Sequence, residues 1–524
     1  MRTTDTLKTH RSLKDTTFEI SYKTFFCSAI IYLTLPVIIF FIGYLKPVWA
    51  ILFTALTVGA GIYVLKDSAK GPDGDTKEAE KFTLKFDFKF LAVLIPMILI
   101  IVFISGVGEF AFTLSDHSIR YAILNDLVEY KWPIIYDFAT QENPVVSAYL
   151  GEGKVAFAYY FVYWMVPAVI GKVAGLMTAR IALFLWSALG LFLIAVGASM
   201  LYGKASRALF LGLWLFAGFD VIPYALNNLV GNWATWERWN AHLIVVGNTY
   251  QLMNVFNQAI PGWLITILLI MCVNSRSIGY LGALMFVYSP WAAIGILPMC
   301  ICKIVMKCGK KVIRNLFTIG NIVTPIVFFV CFAAFFTANS NATDEDGFIL
   351  KFYPTVWRFV RDYLAYVFVE FGVWFLMIYK RQKNNPLMWT AIGTLLVLPF
   401  YKITYANDFL MRGSMAPLFM VSLYAVMFVT DYFHECLHGK KFVLKTRLPV
   451  LALILAAYTS LNLILYSSLM TFEVNFMGAE DEDISHDIVS FGNIRKEDQV
   501  EVINTQFFVY EYEDTVFFKY LARS

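Results

Sequence analysis

Four stretches of this chain carry side chains able to do chemistry, and each lies beside a long apolar run. The first, SDHSIRYAILNDL, brings Asp116, His117, Arg120 and Asp126 together just after an apolar segment. The second, KITYANDFLMRGS, holds Lys402, Asn407, Asp408, Arg412 and Ser414. The third, NNLVGNWATWERWNAHL, supplies Trp233, Trp236, Glu237, Arg238, Trp239 and His242, and is followed by Asn248, Asn254, Asn257 and Gln258. The fourth is His434-Glu435-Cys436-Leu437-His438. A carboxylate at a water–lipid boundary can take a proton from a hydroxyl. A guanidinium can hold a phosphate through paired hydrogen bonds. Aromatic faces beside amides suit a sugar, and HExxH on a helix suits zinc.

Each stretch also has a purely structural explanation. Asp116 stands where an amphipathic helix from Ile119 to Tyr130 would begin, and an Asp there can cap exposed amides. Asp408 and Arg412 are four apart, so one helical turn makes them an ion pair. The tryptophans fit an interfacial aromatic belt. Asn257 and Gln258, just before Pro261, fit a helix start. A catalytic zinc needs a third protein ligand. No Asp or Glu occurs between Glu435 and Glu473, so the HExxH match reads as fortuitous, and no metal ligand set is assigned.

The elements that must position these residues are membrane helices. Of 524 residues, 59% are apolar and only 15% charged, against roughly 45–50% and about 25% in soluble domains. The mean hydropathy is +0.63. A formal charge of +4 leaves no global field for nucleic acid. Seven scattered cysteines suggest neither a disulfide framework nor a paired metal site. The polar segment Met1 to Lys23 does not read as a cleavable signal peptide.

Apolar runs predict thirteen spans, near 24–43, 48–65, 91–106, 177–201, 208–219, 259–273, 278–289, 292–306, 316–336, 363–379, 387–403, 415–430 and 449–467. Lys66 to Lys89, Lys303 to Arg314, Lys380 to Lys383 and Lys440 to Arg447 concentrate positive charge on one side, which assigns them to the cytoplasm. Val155 to Ile170 is apolar, but letting it cross would put Lys310, Lys311, Lys380 and Lys383 outside. It is therefore expected to lie along the outer surface. The expected parts are 1–90 (cytoplasmic segment, two extra spans and a basic loop), a core over 91–469 with a first outer loop at 107–176, and an outer tail at 470–524. The alternating tail suggests a small ordered cap.

In order along the chain, SDHSIRYAILNDL, YKWPIIYD and FAYYFVYWMVPAVIGKVAG resemble the C-type (GT-C) membrane glycosyltransferases, in which an acid opens the first outer loop and a Trp-Pro segment and aromatic surface helix follow. Two spans here precede the one that normally comes first, and His117 stands where many relatives have a second acid. The resemblance implies an all-α GT-C-like fold, a polyprenyl-phosphate sugar donor, an inverting transfer and no cofactor. It makes Asp116 the expected base, with Asp126 its rival. His117, Arg120, Lys131, Tyr159, Tyr160, Trp236, His242, Lys402, Asn407, Asp408 and Arg412 are the expected substrate-binding residues. The acceptor would be a cell-envelope glycan, a lipid or a protein, met at the outer face of a bacterial plasma membrane. A lipid-linked glycan flippase is the alternative, and an HExxH intramembrane protease a remote one.

Overall fold

A computed structural model describes residues 17–71, 74–112, 116–138, 153–229, 237–310, 312–339, 346–404, 407–438, 444–477, 490–492 and 507–523. In chain order its helices are α1 (Tyr22–Tyr44), α2 (Pro47–Asp67), α3 (Phe88–Ile104), α4 (Asp116–Glu129), α5 (Met165–Ala174), α6 (Leu176–Tyr202), α7 (Arg207–Trp214) and α8 (Val221–Leu229). There follow α9 (Asn248–Met271), α10 (Ile278–Tyr288), α11 (Pro290–Lys307), α12 (Ile319–Thr337), α13 (Val356–Gln382) and α14 (Pro386–Phe400). The last are α15 (Asp408–Gly413), α16 (Met415–His438) and α17 (Leu444–Met477). Among the described residues, nine helices are long and apolar enough to cross a membrane: α1, α2, α6, α9, α11, α12, α13, α16 and α17. The chain is an all-α membrane protein.

Four of the thirteen expected spans are shorter. α3, α10 and α14 are short apolar helices. The span expected at 208–219 is corrected: α7 has eight residues, about 12 Å of helix against a hydrocarbon core of about 30 Å. Ser206 starts it by accepting from the Leu209 amide at 3.2 Å. Beyond Trp214 the backbone turns to other partners. Phe216 O accepts from Asn248 N at 2.9 Å, Ala217 O from the Trp374 indole at 3.0 Å, and Phe219 N donates to Val369 O at 2.9 Å. Val155 to Ile170 is also not one helix. It opens as a strand, and only Val162–Ala174 is helical.

α9 is the buried axis of the bundle. Association in lipid depends on close packing more than on hydrophobicity, so small residues sit where helices cross. Gly197 of α6 shows why: a Cβ there would come within 2.6 Å of Phe25 and 2.7 Å of Ile267.

At one end of the bundle, β1 (Thr17–Ile20) pairs with β2 (Leu84–Asp87), and Arg276 bonds Asp67 and Asn315. At the other end, β3 (Ile135–Asp137) and β4 (Lys154–Phe157) of the 107–176 segment form an antiparallel pair. There too β5 (Gly347–Phe348) pairs with β6 (Tyr401–Lys402). The tail returns as β7 (Phe508–Val509), which adds to β4. Arg523 N then donates to Tyr44 O, and Lys46 N to Leu521 O. This end gathers the described parts of the 107–176 segment, the α1–α2 junction and the described parts of the tail.

Candidate functional site

The second stretch builds the most organised polar site. Asn407 adopts left-handed backbone (φ 52°) and caps the short helix α15, accepting from Leu410 N at 3.3 Å. Its amide Nδ2 donates outward to His242 O at 2.7 Å, so α15 is tied to the third stretch. One turn on, Arg412 faces back to Asp408: Nε and Nη2 donate to Asp408 Oδ1 at 3.2 and 2.9 Å. Thr404 Oγ1 bonds the other Asp408 oxygen at 3.2 Å.

The ion pair is therefore real, but it uses only one edge of the guanidinium. Nη1 is buried and has no hydrogen-bond partner among the described residues. A buried charged donor left unpaired costs upwards of about 1–3 kcal/mol. Such a group is poised for an anion. The guanidinium carbon also stands 5.7 Å from the ring centre of Tyr160, which packs on Tyr159 at 3.8 Å. Lys402 is buried with its ammonium 4.3 Å from the Phe352 ring, and Phe352 lies 6.0 Å from His242. Thus Tyr159, Tyr160, His242, Lys402, Asn407, Asp408 and Arg412, far apart in sequence, share one neighbourhood.

An apolar groove begins beside this site. A cavity of about 900 Å³ lies between α10, α11 and α12, lined by Gly282, Phe286, Trp291, Leu297, Ile301 and Phe329 among others. Leu297, Ile301 and Phe329 are more than half exposed, so the groove opens sideways. Its lining runs on α11 from Pro290 to Ile304, about 21 Å of helix. Two contacts join it to Arg412. Trp291 meets Phe409 edge-on at 6.0 Å, and aromatic rings lead from Tyr160 to Phe336 (6.5 Å) to Phe286 (5.8 Å). Gly295 of α11 is backed directly against the Gly413 carbonyl, which fixes α15 at the groove mouth.

No family model matches this chain, and neither a curated protein nor a solved structure does.

The first stretch is placed differently. Asp116 and His117 open α4 as expected for a helix start, but their side chains lie outside the described residues, as does all of Trp236. Asp126 is not among the residues lining the cavities described for this structure. It is wholly buried, and its Oδ2 accepts from the Tyr136 hydroxyl at 2.6 Å and from Phe491 N at 2.9 Å. Burial pushes its carboxyl up to about 7, against the lowering effect of those bonds. It fastens the first outer loop to the tail, which argues against a base open to substrate. Arg120 is buried in the same helix. Lys131 lines a separate cavity of about 710 Å³ with Trp132, Lys172 and Arg523. His434 to His438 end α16, with their side chains outside the described residues. Asn257 and Gln258 lie just past a break in α9 at Val255 (φ −136°, ψ 40°), where its second half begins, as expected of a helix start.

Two features escaped the sequence reading. Glu109 pairs with Arg180 at 2.5 Å, and burial, partly offset by that cation, raises the Glu109 carboxyl to about 7. Asp220, Glu237 and Glu370 form a buried group of acids. Glu370 stands inside an apolar span, VFVEFGVWF, and an acid in such a run is itself a signal of function. Among the described residues, no three His, Cys, Asp or Glu side chains are grouped to hold a metal ion.

Proposed function

We propose that this protein is a GT-C-type membrane glycosyltransferase, moving a sugar from a polyprenyl-phosphate carrier to an acceptor hydroxyl at the outer face. The observation that carries this reading is a buried, half-used guanidinium linked through Tyr160 and Phe336 to Phe286 in the wall of an open apolar groove. A polyprenyl phosphate is an anion on a long apolar tail, and the two places match its two parts. Arg412 Nη1 donates to the phosphate, the Asp408 pair holds the guanidinium still, and the tail lies along α10 and α11. The acceptor oxygen attacks the anomeric carbon as the carbon–oxygen bond to phosphate breaks. The phosphate leaves with the bonding electrons, stabilised by Arg412. The acceptor's proton passes to a carboxylate, for which Asp116 is the candidate.

One observation favours a second reading, a flippase for the same lipid. Flippases and transporters are built on interrupted helices and intramembrane charges, and α9 is broken at Val255 while α13 carries Glu370. Proteoliposomes loaded with polyprenyl-phosphate hexoses decide between them by mass spectrometry. Transfer separates sugar from carrier, and Asp116→Asn slows it by about 100- to 10,000-fold. Intact donor recovered on the opposite leaflet, with no free carrier formed, refutes the transferase.

A further inference from the structure

A further cavity, of about 850 Å³, lies between Trp239–His242 and Tyr353–Asp362, and His242 in its wall accepts from Asn407 through its backbone carbonyl. Its wall is built around one half-buried tryptophan. The Trp239 indole N–H donates to Glu370 Oε1 at 3.0 Å, and Glu370 is only 2% exposed. Glu370 and Asp220 both lie against Gly218, leaving no room for a side chain. A Cβ there would fall 2.7 Å from Glu370 Oε2 and 3.0 Å from Asp220 Oδ2. The polar edge of Trp239 is thus pinned inward while the residue lines the cavity.

The facing polar groups are also locked. Asn240 Nδ2 donates to Asp362 Oδ2 at 2.9 Å, and Asn240 Oδ1 accepts from the Tyr353 hydroxyl at 3.2 Å and from the amides of His242 and Leu243. Arg361 is held by Asp362 at 2.7 Å, while Arg358 lines the same cavity at an exposed position, so the rim carries both an ion pair and a cation. A rigid indole beside fixed amide, phenol and carboxylate groups suits a sugar ring, with C–H bonds on the aromatic face and hydroxyls on the polar groups. Holding those groups in place beforehand lowers the entropy cost of binding.

We propose that this cavity is a saccharide-binding site and, resting on the transferase reading, the seat of the acceptor. Asn407 links it to α15, which places an acceptor hydroxyl beside the donor phosphate. The binding itself is testable without any donor. Saturation-transfer NMR on the full chain in nanodiscs, free of glycosidic detergent, would use a mixture of methyl hexosides and methyl hexuronides. Transfer to ring protons is expected in the wild type. Trp239→Ala should weaken binding about tenfold. Trp239→Phe, which keeps a ring but loses the bond to Glu370, should retain part of the signal and controls for folding. Trp357→Ala removes an exposed aromatic outside the cavity and should change nothing. No transfer to any sugar, or full transfer in Trp239→Ala, overturns the site. Lost sugar binding with intact polyprenyl-phosphate binding would leave the transferase reading standing. The converse would refute that reading and keep this site.

Discussion

Replacing Arg412 is the sharpest test of the donor site, because its two edges predict different things. Nε and Nη2 hold Asp408, while buried Nη1 holds nothing among the described residues. A hydrogen bond to a charged partner contributes about 1.5–3 kcal/mol, which at about 1.4 kcal/mol per decade is roughly 10- to 150-fold in affinity. Arg412→Ala should therefore weaken polyprenyl-phosphate binding by that factor, read by titrating a fluorescent polyprenyl phosphate into nanodisc-embedded protein. Arg412→Lys should recover only part, since an ammonium lacks the planar fork that serves Asp408 and an anion together. Arg412→Ala also removes the cation paired with Asp408 and should lower the melting temperature. Asp408→Asn separates the effects, because it loses the ion pair but keeps the guanidinium, so stability should fall while binding stays within about threefold. If Arg412→Ala melts early yet binds donor like the wild type, the guanidinium is structural and the reasoning fails.

Gly295→Leu forces a side chain against the Gly413 carbonyl; overpacking costs typically about 1–3 kcal/mol, so a lower melting temperature and weaker donor binding should appear together. Gly282 lines the groove with only Cys300 near, 3.7 Å from where its Cβ would stand; Gly282→Phe should hinder a long polyprenyl phosphate more than a short, water-soluble isoprenyl phosphate in competition assays. Asp126 carries a folded-state pKa raised to about 7 from an ordinary 3.8. Its protonated form is the one favoured by folding, so its contribution is full below the unfolded pKa and is lost as pH rises from about 4 to about 7. Asp126→Asn should flatten the fall in melting temperature over that window.

Much of the architecture was legible because membrane spans announce themselves by length and composition, as α1, α2, α6, α12 and α16 do. The failures are instructive. The run at 208–219 is apolar enough to span, yet its backbone leaves the helix to bond Asn248, Trp374 and Val369. Hydropathy registers the side chains and not where amides and carbonyls find partners. The pairing of Asp408 with Arg412 was visible from their spacing. Their approach to Tyr160 and His242 was not, because it depends on helix packing across hundreds of residues. Asp126 was a fair candidate by position, and only the fold reveals that Tyr136 and the tail both bind its Oδ2.

The buried acids bear on the choice between transfer and transport. A carboxylate that carries charge across a membrane must be reached from each side in turn, and so must exchange partners. Glu370 is held by the Trp239 indole, crowded with Asp220 against Gly218, and covered by a backbone bond from Phe219 to Val369. Freeing it would break those contacts together, and nothing among them offers an equivalent set on the other side. The same contacts set the attitude of Trp239 in the cavity wall. An acid whose bonds aim an aromatic platform serves recognition at one face, which is what transfer to a stationary acceptor requires and alternating access does not.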